Sequence, residues 1–61
     1  MNRRDLERHL RANGCELLRH GSKHDVWWNP SNGRRSTVPR HAVIKPGTVR
    51  SICNQLEVPP P

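Results

Sequence analysis

Cys15-Glu16-Leu17-Leu18-Arg19-His20-Gly21-Ser22-Lys23-His24-Asp25-Val26-Trp27-Trp28-Asn29 is the stretch on which the fold turns. Apolar residues lie on both sides of Gly21-Ser22, a pair suited to a turn. The pattern predicts a strand from Cys15 to His20 and a second over Lys23 to Asn29, folded as a hairpin. Asn29-Pro30-Ser31-Asn32-Gly33 is then a run of turn formers. After it, Arg35 to Val38 predicts a third strand, closed by Pro39, which has no N–H for a ladder. The expected sheet is antiparallel.

Outward from the sheet lie two helical patterns. Before it, Asn2 can cap a helix over Arg3 to Asn13: Asp5 stands in the first turn, Leu6 and Leu10 recur four residues apart, and Gly14 stops the run. Arg4, Arg8 and Arg11 share one face of that helix, a pattern usual for a solvated surface and also compatible with phosphate contact. After the sheet, Val49, Ile52, Cys53 and Leu56 fall at i, i+3, i+4 and i+7, giving a second helix over Gly47 to Leu56. The order is α-β-β-β-α. So little apolar material has one two-layer solution: an α+β domain with both helices on one face of a three-stranded antiparallel sheet, the layout of double-stranded-RNA-binding domains. Residues 1–58 form this single domain, and Pro59-Pro60-Pro61 is expected as an extended tail, since proline neither continues a helix nor joins a ladder.

Composition limits what such a domain can do. The 61 residues include 11 Lys plus Arg against 5 Asp plus Glu, a net charge of +6, and 31% of the chain is apolar. A chain this short forms one domain with no room for an enclosed cofactor cavity, which excludes Rossmann, barrel and kinase architectures. The longest apolar runs, Val26-Trp27-Trp28 and Ala42-Val43-Ile44, fall far short of the roughly 18 residues that span a bilayer. The amino end lacks the apolar stretch of a secretory signal, so the expected location is the cytoplasm. Cys15 and Cys53 are too few for a disulfide scaffold and lack zinc spacing, so both read as packed, reduced thiols. The positive excess attracts a polyanion or an acidic protein, and so small a domain is well served by a stabilising partner.

No Gly-rich phosphate loop, HExxH or CxxC is present. The carboxylates Asp5, Glu7, Glu16, Asp25 and Glu57 are scattered, with no cluster for Mg²⁺ or a two-metal nuclease centre. His20 and His24 have metal-like spacing only on a helix, and Gly21-Ser22 breaks any helix between them. Neither metal nor cofactor is expected. What remains is histidine among cations. An imidazole takes or gives a proton near neutral pH. RNA carries its own nucleophile, because a base that removes the 2′-OH proton lets that oxygen attack the adjacent phosphorus. Lys and Arg can stabilise the charge that builds there.

Four ordered blocks now combine: Gly21-Ser22-Lys23-His24-Asp25-Val26-Trp27; Asn29-Pro30 with Gly33-Arg34; Val38-Pro39-Arg40-His41; and Lys45-Pro46-Gly47-Thr48-Val49-Arg50-Ser51-Ile52. In this order and spacing they make the chain resemble the HicA toxin family, and the resemblance covers nearly its whole length. The resemblance implies a small messenger-RNA endonuclease, a toxin that inhibits translation and growth until an adjacent HicB-type antitoxin binds and silences it. It implies that His24, the histidine of the Gly-Ser-x-His block, is catalytic. Lys23 stands where many members have a second His, so a second imidazole at that position is lost and a phosphate-binding cation takes its place.

Around His24, Ser22 shapes the turn and can donate a hydrogen bond to a phosphate. Lys23 and Arg40 are expected to stabilise phosphate charge. His41 is a candidate RNA contact or second proton carrier, with solvent as the alternative carrier. Arg34, Arg35, Arg40 and Lys45 are candidates for backbone phosphates. His9 reads as a bystander, and His20 has no evident chemical role. Trp27 and Trp28 must point to opposite faces, one under the helices and one outwards, where it can stack on a base or meet the antitoxin. Two other readings stay open: a non-catalytic RNA-binding module, and an inactive relative kept for its antitoxin complex.

Overall fold

A computed structural model describes residues 1–61. Helix α1 spans Arg3–Ala12, strands β1, β2 and β3 span Glu16–His20, His24–Asn29 and Arg34–Pro39, and helix α2 spans Pro46–Leu56. This is the expected α-β-β-β-α order, with element ends shifted by a residue or so. Asn2 caps α1 as its residue type predicts: extended itself, it accepts the Arg4 N–H on its side-chain oxygen at 2.8 Å. Gly14, at φ 85°, lets the chain leave the helix in the left-handed region, with its N–H bonded to the Arg11 carbonyl at 3.0 Å.

The sheet runs β1-β2-β3, antiparallel throughout. Pairings of Asp25 with Val38, Trp27 with Ser36 and Asn29 with Arg34 set one face; His24 with Pro39, Val26 with Thr37 and Trp28 with Arg35 set the other. The first face is covered. Trp27 and Val38 are fully buried there, in a core completed by Leu6 and Leu10 of α1, Cys15, Ile44, and Val49, Ile52, Cys53 and Leu56 of α2. The apolar stripe read from the second helix is therefore its packed face. Strand parity also settles the tryptophans: Trp27 shares the covered face with Asp25 and Asn29, and Trp28 lies half-buried on the open one. Arg11 sits over the Trp27 ring, 5.0 Å from its centroid, so one of the three helix-face arginines has an aromatic partner within the fold.

β1 behaves differently from the other strands. All five of its residues are exposed, including Leu17 and Leu18, and its register slips between Leu17 and Arg19. It is an edge strand whose bulge interrupts the ladder, a common way of keeping an edge from pairing with another chain. Both thiols are buried, and burial pushes Cys15 and Cys53 above the ordinary cysteine range, so they remain protonated core residues.

The start of the proline tail touches α1. His9 Nε2 lies 2.6 Å from the Pro59 carbonyl oxygen, to which it can donate, and Pro60 and Pro61 border a groove with Met1, Pro46, Val49 and Arg50. The bystander His9 thus binds the start of the proline tail to α1.

Candidate active site

The β1–β2 hairpin ends in a turn whose glycine is required by space. The Gly21 N–H donates to the His24 carbonyl at 2.7 Å, so close that a β-carbon at Gly21 would stand 2.6 Å from that oxygen. Any side chain there would push the turn open. Ser22 and Lys23 form the exposed tip, and His24 follows as the first residue of β2, its side chain exposed on the open face.

Pairing then brings in a distant block. His24 lies opposite Pro39, the last residue of β3, so Arg40 and His41 follow immediately at the same end of the sheet. His41 is exposed beside a groove shared with Pro39, Val43, Ile44, Lys45 and Thr48. Ser22, Lys23, His24, Arg40 and His41 are therefore gathered at one end. Arg34 is not. It begins β3 opposite Asn29, five residues of strand from Pro39 and thus roughly 16 Å from the His24 end, and its Nε donates to the Gln55 carbonyl at 3.0 Å.

Asp25, next to His24, points the other way, to the helix side. The residue is 7% exposed, and its carboxylate accepts two bonds on Oδ1: from His20 Nδ1 at 2.8 Å and from Arg40 Nε at 2.9 Å. The bond to His20 first, then the bond and charge of Arg40, outweigh the cost of burial and hold this carboxyl below the usual carboxylate range. Arg40 also reaches the turn itself, donating from Nη1 to the Ser22 carbonyl at 3.4 Å and from Nη2 to the Gly21 carbonyl. The guanidinium expected to face phosphate finds three acceptors within the chain.

His20 and Asp25 had no assigned role from sequence. A turn at Gly21-Ser22, as the sequence suggests, would set His20 against Lys23; the structure centres the turn one residue later, on Ser22-Lys23, and that shift makes His20 and Asp25 cross-strand partners. An acid and an imidazole on the same side of the last rung of a hairpin are within bonding reach.

Fold and site together define a class: a small, basic α+β domain whose candidate chemistry sits on a hairpin tip and not in an enclosed cavity. A family model described as HicA toxin of bacterial toxin-antitoxin matches residues 3–58, almost the full length, and the chain belongs to the HicA toxin family. Searches of curated proteins and of solved structures returned no match. Membership of a toxin–antitoxin family implies an antitoxin partner. No helix is long and apolar enough to cross a membrane.

Proposed function

We propose that this toxin is an endoribonuclease that cuts messenger RNA without a metal ion, with His24 moving a proton at the reacting phosphodiester. As general base, His24 takes the proton from a ribose 2′-OH; the freed oxygen attacks phosphorus, and the 5′-oxygen of the next nucleotide leaves with a proton from a second donor. His41 or water provides that second transfer. Lys23, one residue before His24, stabilises the charge that accumulates on the phosphoryl oxygens, and Ser22 offers a hydroxyl donor beside it. A HicB-type antitoxin silences the toxin by covering this end of the sheet.

The observation that supports the reading best is the meeting of two separated sequence blocks, Gly21–Asp25 and Val38–His41, through the His24–Pro39 rung. The meeting leaves an exposed imidazole on a backbone fixed at both ends, with Lys23 and Ser22 exposed next to it. The test is incubation of the purified chain with end-labelled RNA in EDTA. Discrete fragments are expected. A retarded but intact band would mean that the basic surface only binds RNA, and would overturn the catalytic reading. Growth arrest on expression in a bacterial host, lost in His24→Ala, would exclude an inactive relative.

A further inference from the structure

We infer that Arg40 and Asp25 are positioning residues for His24: the guanidinium ties the turn carbonyls of Gly21 and Ser22 to the buried Asp25 carboxylate and holds the imidazole-bearing end of β2 in place. This inference rests on the proposed function of His24 for its effect on catalysis, though not for its effect on the turn.

The geometry carries it. One planar group donates in three directions, from Nε to Asp25 Oδ1, from Nη1 to the Ser22 carbonyl and from Nη2 to the Gly21 carbonyl. Those two carbonyls lie past the last ladder pair, His20 with Asp25, where no neighbouring strand can satisfy them. The turn itself has no stiff residue: Gly21, Ser22 and Lys23 contain neither proline nor a β-branched side chain. Beyond the bond from the Gly21 N–H to the His24 carbonyl, its order must come from outside. Asp25 supplies the anchor, being adjacent to His24 in the chain and fixed in turn by His20. A lysine at position 40 would keep the charge, yet its single ammonium cannot reproduce the planar fork that spans these acceptors. The purpose of such bracing is orientation, since a displacement of about 1 Å at a reacting group can cost on the order of a hundredfold in rate.

A phosphate contact and a brace make opposite predictions for the same substitutions. The full chain carrying Arg40→Ala, Arg40→Lys or Asp25→Asn is compared with wild type by backbone NMR relaxation, by steady-state cleavage and by the salt dependence of RNA binding. The nearly isosteric Asp25→Asn covers the possibility that Arg40→Ala unfolds. Amide order parameters at Ser22 and Lys23 should fall from about 0.85 towards 0.6 in all three variants, with those of α2 unchanged. In Arg40→Ala and Arg40→Lys alike, kcat should drop roughly 10- to 100-fold, with KM and the slope of binding against salt kept. The double variant Arg40→Ala with Asp25→Asn should be no worse than Arg40→Ala, because both disable one device. A rise in KM at constant kcat, with a slope smaller by about 0.7 in Arg40→Ala and recovery in Arg40→Lys, would make Arg40 a phosphate ligand and overturn the inference. Unchanged order parameters at the turn would overturn it as well. Should wild type leave RNA intact, the functional reading fails alone, and the relaxation data still decide whether Arg40 braces the turn.

Discussion

The two ends of β2 solve the same problem with different chemistry. Asp25 and Asn29 lie on the covered face on either side of Trp27, both buried, and each fastens a neighbouring segment to the sheet. Asn29 uses a neutral amide: its Nδ2 donates to the Leu56 carbonyl at the end of α2 at 2.9 Å, and its Oδ1 accepts the Ser31 N–H at 3.0 Å. Asn32 adds a second, longer donor to the same Leu56 carbonyl at 3.3 Å. Asp25 uses charge, binding His20 and Arg40 and, through Arg40, the turn before His24. The Asn29 bonds involve no ionisable side chain and hold the end of α2; the Asp25 bonds join ionisable groups beside the candidate chemistry. A polar group can be buried at either end because each has its bonds.

That contrast can be broken from either side. The largest effect is expected at the charged end: His24→Ala should lower RNA cleavage about a hundredfold or more, in line with the general range for acid–base catalysis, with the circular dichroism spectrum and antitoxin binding preserved. At the neutral end, Asn29→Ala should lower the unfolding free energy by about 1–3 kcal/mol, because the Leu56 carbonyl and the Ser31 N–H lose their buried partner, and the cost should be the same at neutral and mildly acidic pH in urea titrations.

Acid should separate the two ends further. The folded Asp25 carboxyl ionises below its unfolded value near 3.9, so its contribution is fully present above that value and is lost as pH falls through the depressed folded one. Urea unfolding from about pH 5 down to about pH 2 should therefore show a decline that is shallower in Asp25→Asn. The smallest effect belongs to Glu57, which ends α2 in the left-handed region at φ 57°. Glu57→Gly should stabilise the chain by about 0.5–1 kcal/mol, offset in part by loss of the bond from Asn32 Nδ2 at 3.2 Å.

Much of this architecture was legible in the sequence, and the reasons are physical. Periodicity exposed α2 because Val49, Ile52, Cys53 and Leu56 must share a face to be buried, and they do. The β2 and β3 strands were bounded by turn formers that act through local backbone preference. The fate of the tryptophans was not readable, because alternation fixes only that they differ, and which face is covered depends on where the helices lie. At the site, residue types pointed to a histidine among cations, while its exposure and the direction of each cation stayed hidden. Arg34 and Arg40 look alike in composition. One lies at the far end of the sheet on a helix carbonyl and the other on Asp25 and the turn, because the β2–β3 register places them so. His20 was overlooked for the same reason: its partner is five positions away along the chain and adjacent only after the hairpin closes.

The most direct measurement is a single-turnover cleavage assay in EDTA, with wild type and His24→Ala each given end-labelled RNA and the same oligonucleotide carrying 2′-deoxyribose throughout. Wild type should cut the RNA, leave the deoxy strand whole and lose this activity with the imidazole. Intact RNA in the presence of folded wild type, or equal cutting by His24→Ala, would contradict proton transfer by His24 to a self-cleaving ribose.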